Sequence, residues 1–128
     1  MSKRVVRTEA APAPFQGAPY NQAIVANGFV YVAGQLGLEP GAAEVVAGGI
    51  RPQTEQAFAN LRAILEAAGS SLEAVVKTTV FLRDLDDFAG MNEVYARHVG
   101  ATPPARSTVE VGRLPAGALV EIEAVALA

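Results

Sequence analysis

Val75-Val76-Lys77-Thr78-Thr79-Val80-Phe81-Leu82-Arg83 decides the fold. The stretch is β-rich and apolar on both alternating faces, the composition of a strand inside a sheet. Upstream, Ala57, Phe58, Leu61, Ile64, Leu65 and Ala68 recur at helical spacing; Pro52 falls in the expected first turn and Gly69 supplies the stop. Downstream, Leu85, Phe88, Met91, Tyr95 and Val99 set a second helix, with Asp84 or Asp86 at its start and Gly100 at its end. Between them, Ser70-Ser71-Leu72-Glu73 has the separation of a capping box around a single turn.

Further out, the pattern is extended. Gln22-Ala23-Ile24-Val25-Ala26 and Phe29-Val30-Tyr31-Val32-Ala33 flank Asn27-Gly28, a pair that fits a type I′ hairpin turn because both central residues take positive φ. Residues 1–13 read as a short strand at Arg4-Val5-Val6-Arg7 and an Ala/Pro segment; Gly34 to Gly49 reads as a glycine-rich loop with a short extended piece at Val45-Val46. Two more strands follow at Arg106–Val111 and Leu119–Leu127, joined by a Pro/Gly connection. The order is β-ββ-α-β-α-ββ, an α+β domain over residues 1–128 with a sheet of about six strands and two helices on one face. Nothing is left to cover the second face, although Val75–Phe81, Phe29–Ala33 and Leu119–Leu127 offer it apolar side chains. A homo-oligomer, most simply a closed ring of sheets, is therefore expected.

Of 128 residues, 51% are hydrophobic and 18% charged, which excludes disorder. The net charge of −3 and the scattered Lys and Arg argue against a nucleic-acid partner, which needs a concentrated basic face. Without cysteine there is no disulfide framework, thiol nucleophile or thiolate metal site. No charged-then-apolar leader or bilayer-length apolar run is present, so the expectation is a cytoplasmic protein without a membrane partner.

The chemical inventory is short. His98, the single histidine, falls in the last turn of the second helix, where it suits the helix dipole better than catalysis. One His and no Cys cannot build a tetrahedral zinc site. Arg106 directly follows a Pro-Pro loop on a strand otherwise rich in apolar and β-branched residues. A permanent cation there is costly unless it is paired or binds something, and its planar fork suits a carboxylate. Period two puts Arg106, Thr108 and Glu110 on one face, and Leu119, Glu121 and Glu123 on one face of the last strand. If those strands pair side by side, Arg106 and a glutamate lie within reach across the ladder. For Glu123 the plain structural pairing is the simpler reading. Asn92 sits on the buried stripe of the second helix, where an amide needs partners. Tyr20, after Pro19 in a loop, could present its hydroxyl to a cleft.

At these residues the chain resembles the reactive-intermediate deaminase family (RidA, YjgF-like). The matching features include Pro19-Tyr20-Asn21-Gln22-Ala23, Gly34-Gln35, Gln53-Thr54, Asn60-Leu61, Val76-Lys77, Asn92, Tyr95, Pro104-Ala105-Arg106, Leu114-Pro115 and Glu121-Ile122-Glu123, in order across almost the whole chain. The resemblance implies a chorismate-mutase-like fold, a homotrimer with clefts between subunits, and cofactor-independent hydrolysis of enamines and imines such as 2-aminoacrylate to 2-keto acids and ammonia. It implies that Arg106 holds the substrate carboxylate, that Glu121 orients or activates water, and that Tyr20 and Asn92 line the cleft, which backbone groups at Gly34 and near Thr108 complete. The chain departs from the pattern at Asn21 and Ala33, where serines are frequent, and at Thr108, where cysteine is. Loss of the hydroxyl at residue 33 bears on rate or substrate range, and leaves a non-catalytic small-carboxylate-binding or regulatory member of the same family as the alternative.

Overall fold

Asn27 and Gly28 adopt φ values of 52° and 85°, and this I′-type turn reverses the chain between β2 (Ala23–Ala26) and β3 (Phe29–Leu36). The computed structural model describes residues 2–128; residue 1 of the expected N-terminal segment lies outside them. β1 (Arg4–Val6) pairs antiparallel with β2. Two helices, α1 (Ile50–Ala67) and α2 (Phe88–Val99), flank β4 (Val75–Leu82), and β5 (Ala105–Glu110) and β6 (Val120–Leu127) end the chain. Among the described residues the sheet order is β1-β2-β3-β6-β4-β5, with only β4 and β5 parallel. That pair is joined through α2, since a parallel connection needs a crossover and a helix supplies it.

Alternation divides the sheet into two unlike faces. Val120, Ile122, Ala124 and Ala126 of β6 are buried with Val30, Val32, Val80 and Leu82 against Phe58, Leu61, Ile64 and Leu65 of α1 and Met91 and Tyr95 of α2. Burial of each large aliphatic side chain contributes roughly 1.5–3 kcal/mol. The opposite face carries Tyr31, Lys77, Thr79, Phe81, Glu121, Glu123, Val125 and Leu127, and among the described residues no helix lies over it. Tyr31 and Leu127 are 48% and 50% exposed.

Two local expectations are corrected. β3 does not stop at Ala33. It continues through Gly34 and Gln35 to Leu36 by way of a bulge that shifts its pairing with β6 between Val32 and Gln35. Glycine inside a strand pattern reads as a loop when it actually marks such a bulge. At residues 70–73 no capping box forms: Ser70 donates its hydroxyl to the Leu127 carbonyl, and the single turn Leu72–Ala74 has no side-chain cap. His98 lies in the last turn of α2, as expected, and there also meets Glu55 of α1, 3.0 Å from its carboxylate, and stacks on Phe58 at 4.6 Å. Asp84 accepts from the Asp86 N–H, capping the short turn Leu85–Asp87 that leads into α2.

A second, smaller apolar cluster of Leu36, Leu38, Leu114 and Ala118, joined by Phe15, Val45, Phe81 and Val111, closes one end of the sheet. It is tied to α1 by buried amides. Asn60 donates to the carbonyls of Leu36 (3.0 Å) and Leu38 (2.8 Å), and Gln53 accepts from the Leu119 N–H. Gly37 lies against the Gln53 backbone so closely that a Cβ would stand 2.7 Å from its Cα.

Candidate functional site

Glu121 enters β6 beside the second apolar cluster, between Leu36 of β3 and Phe81 of β4. Its side chain lies over the bulge and fills the space that a side chain at residue 34 would need: a Cβ built on Gly34 would stand 2.7 Å from the Glu121 carboxyl carbon and overlap an oxygen. Glycine is required there by close approach rather than by φ. Half-burial in apolar surroundings, aided by the neighbouring Glu123 carboxylate, raises the Glu121 pKa above the ordinary glutamate value of 4.5.

Tyr20 shares a small cavity with the bulge. It and Gly34, with Pro12, Phe15 and Leu36, line a cavity of about 30 Å³, room for one water molecule. The Tyr20 hydroxyl accepts the Phe15 N–H at 2.6 Å, which fixes the ring while leaving its own proton to donate. Gln22 holds the loop above: its amide oxygen accepts from the Thr8 N–H and its NH₂ donates to the carbonyls of Thr8, Ala11 and Pro12. Ala33 donates its N–H to the Gln22 carbonyl, and its methyl stands where the resembled pattern has a hydroxyl.

Arg106 is elsewhere. It is the ladder partner of Thr78 on the edge strand β5, and its side chain reaches back over α2, with the guanidinium carbon 4.6 Å from the centre of the Tyr95 ring and 5.5 Å from that of Phe88. Asn92 falls between those rings on the same helical stripe. Thr108 follows on the Arg106 face, and among the described residues its buried hydroxyl has no hydrogen-bond partner. The ion pairs of the described residues, Arg51–Glu93, Arg97–Glu55 and His98–Glu55, do not include Arg106.

The structure therefore gathers the expected residues into two groups, Tyr20/Gly34/Glu121 and Asn92/Arg106/Thr108. Side-by-side pairing of the last two strands, which would have brought Arg106 to a glutamate, is not what forms. β4 lies between β5 and β6, and Arg106 and Glu121 emerge on opposite faces. Two strand spacings and three residues of offset separate their backbones by about 14 Å. Phe88 and Thr78, which belong with Arg106, were not among the expected site residues. Phe88 was readable from its spacing to Asn92 and Tyr95, and Thr78 as a polar residue on the core-facing side of β4. Among the described residues no group of His, Asp and Glu is arranged to hold a metal, and no helix is long and apolar enough to cross a membrane.

The fold is that of a known class. The chain belongs to the Endoribonuclease L-PSP family, whose model matches residues 8–128, and this is the family that includes the Rid and RutC proteins. It is 53% identical over 124 residues to a RutC family protein of Pyrococcus horikoshii, covering 97% of each chain. It is 41% identical over 125 residues to the human 2-iminobutanoate/2-iminopropanoate deaminase, covering 98% of this chain and 90% of that one. The crystal structure of RidA from an Antarctic Psychrobacter superimposes with a TM-score of 0.91 at 43% identity, over 98% of this chain and 99% of that one.

Proposed function

We propose that this protein hydrolyses 2-imino acids, and the 2-enamino acids that tautomerise to them, to 2-keto acids and ammonia. The observation that carries the reading is the placement of a half-buried carboxylate with raised pKa, Glu121, against Gly34 of the bulge, a residue that also lines, with Tyr20, a cavity of one-water size. An iminium carbon is already electrophilic, so a positioned water and a general base suffice. Glu121 takes a proton from water as the oxygen bonds to the imine carbon, giving a neutral carbinolamine. The protonated Glu121 then gives that proton to nitrogen, the C–N bond breaks, and Glu121 takes the hydroxyl proton as the carbonyl forms and passes it to the departing ammonia. The balance is iminium plus water to ketone plus ammonium.

Arg106 supplies the clamp for the substrate carboxylate, with Asn92 and Thr108 beside it. Because Arg106 and Glu121 of one protomer are separated by β4, the reaction calls for Arg106 of one subunit to face Glu121 of the next. A cyclic homotrimer closing over the uncovered sheet face meets that requirement and shelters Tyr31 and Leu127. The relatives named imine deaminases support the substrate class.

The test is ammonia release from 2-iminopropanoate, generated in situ, with wild type and Arg106→Ala. Faster release with the wild type and a loss of at least tenfold in kcat/KM for the variant are expected; an unchanged rate in the variant removes the clamp. The Ala33 methyl favours a second reading, a binder of small carboxylates without turnover, for which saturable 2-keto acid binding would occur with no rate enhancement. The family's ribonuclease description finds little support in a chain of net charge −3.

A further inference from the structure

Arg106, Thr78 and Tyr95 form a closed circuit. Thr78 is the backbone ladder partner of Arg106 across β4 and β5. The Thr78 hydroxyl lies 2.7 Å from the Tyr95 hydroxyl, and both residues are buried, at 2% and 5% exposure. The Tyr95 ring, held edge-on by Phe58 at 5.4 Å, then lies under the guanidinium of Arg106. Phe88, one helical turn before Asn92 and 41% exposed, supplies a second ring at 5.5 Å.

Such a seat differs in kind from an ion pair. A carboxylate would spend the N–H donors of the guanidinium, whereas ring faces attract the charge through their quadrupole and leave the donors free. A guanidinium on a four-bond stem also loses rotamer freedom when it binds; rings that hold it beforehand remove part of that cost. We propose that Tyr95 and Phe88 are positioning residues that hold Arg106 for the substrate carboxylate, with Thr78 locking the Tyr95 ring in place. This rests on Arg106 being the carboxylate clamp.

The prediction is a binding defect specific to charge. Phe88→Leu, at a half-exposed position that should fold, and Tyr95→Leu are each expected to raise KM for 2-iminopropanoate about five- to tenfold with kcat within about twofold. Tyr95→Phe and Thr78→Val, which keep the ring but free it, should raise KM by about two- to threefold, and Phe88→Tyr should restore the wild-type value. Inhibition by pyruvate should weaken in step with KM, while inhibition by pyruvamide, which lacks the carboxylate, should not change. Unchanged KM in Phe88→Leu and Tyr95→Phe, or equal weakening of pyruvate and pyruvamide, overturns the inference. Arg106→Ala run alongside separates the two levels. If it raises KM while the ring variants do not, the seat alone is wrong; if it leaves KM unchanged, the clamp itself is wrong.

Discussion

The side chains of Arg106 and Glu121 leave opposite faces of one sheet, with β4 between their strands. Neither can complete a site with the other in the same protomer. Arg106→Ala and Glu121→Gln should each abolish most imine hydrolysis alone, yet co-refolded mixtures should recover activity. With random assembly of equal amounts, roughly a quarter of the interfaces in a ring pair two intact residues. Ammonia release from the mixture checks this; no recovery despite mixed oligomers by native mass spectrometry would show that the two residues do not share a site.

The contact of Gly34 with Glu121 makes a steric prediction. Gly34→Ala places a methyl where the carboxylate lies, and the carboxylate must move. A cost of about 1–3 kcal/mol is expected for such crowding, read from urea denaturation, together with a kcat loss of at least tenfold. The same change at the exposed Gly112, where a Cβ meets nothing within 4 Å, should leave both measurements unaltered.

Burial, and after it the charge of Glu123, raises the Glu121 pKa above 4.5, which sets two pH dependences of opposite sign. A general base works when ionised, so kcat/KM should fall as pH drops through the raised value, and Glu123→Gln should move that acid limb to lower pH. Stability runs the other way. The folded chain binds this proton more tightly than the unfolded one, so the contribution of Glu121 is fully present below the unfolded pKa and is lost as pH rises through the folded one. Glu121→Gln should therefore gain stability relative to wild type near neutral pH and lose that advantage in acid, as thermal melts across pH would show.

Asn60 holds the end of β3 through two buried carbonyls. Asn60→Ala leaves both without their donor and opens a small void, for an expected loss of about 2–4 kcal/mol in denaturant unfolding. Because Leu36 and Leu38 directly follow the bulge that seats Gly34, activity should fall further than the folded fraction does.

Both helices, the Asn27-Gly28 hairpin and the strand Val75–Leu82 were legible because each depends on local periodicity and turn chemistry. Strand neighbours were not legible in the same way. β5 and β6 are adjacent in sequence, which suggests pairing, but the crossover through α2 places β5 parallel to β4, and β6 inserts between β3 and β4. The succession strand, helix, strand from Val75 to Glu110 was the available signal for that parallel pair. Residue types marked Arg106, Glu121 and Tyr20 for attention, but which face each side chain leaves depends on register, and the bulge hid in a run of small residues. The aromatic seat under Arg106 escaped notice because Tyr95 fits equally well as an ordinary core residue.

The surplus residue in β3 turns the strand over partway along. Before it, Val30 and Val32 point toward the helices; after it, Leu36 sides with Glu121 and Phe81, and Gln35 takes the inward place opposite Ile122. What matters at this point is how many residues the chain spends, so no exchange of one amino acid for another can reproduce or cancel the effect. A chain shortened by one at Ala33 would run in unbroken alternation from Val32 opposite Ala124 to Gln35 opposite Ile122, with Gly34 set directly across from Glu123 and the kink beside the acidic group at residue 121 gone.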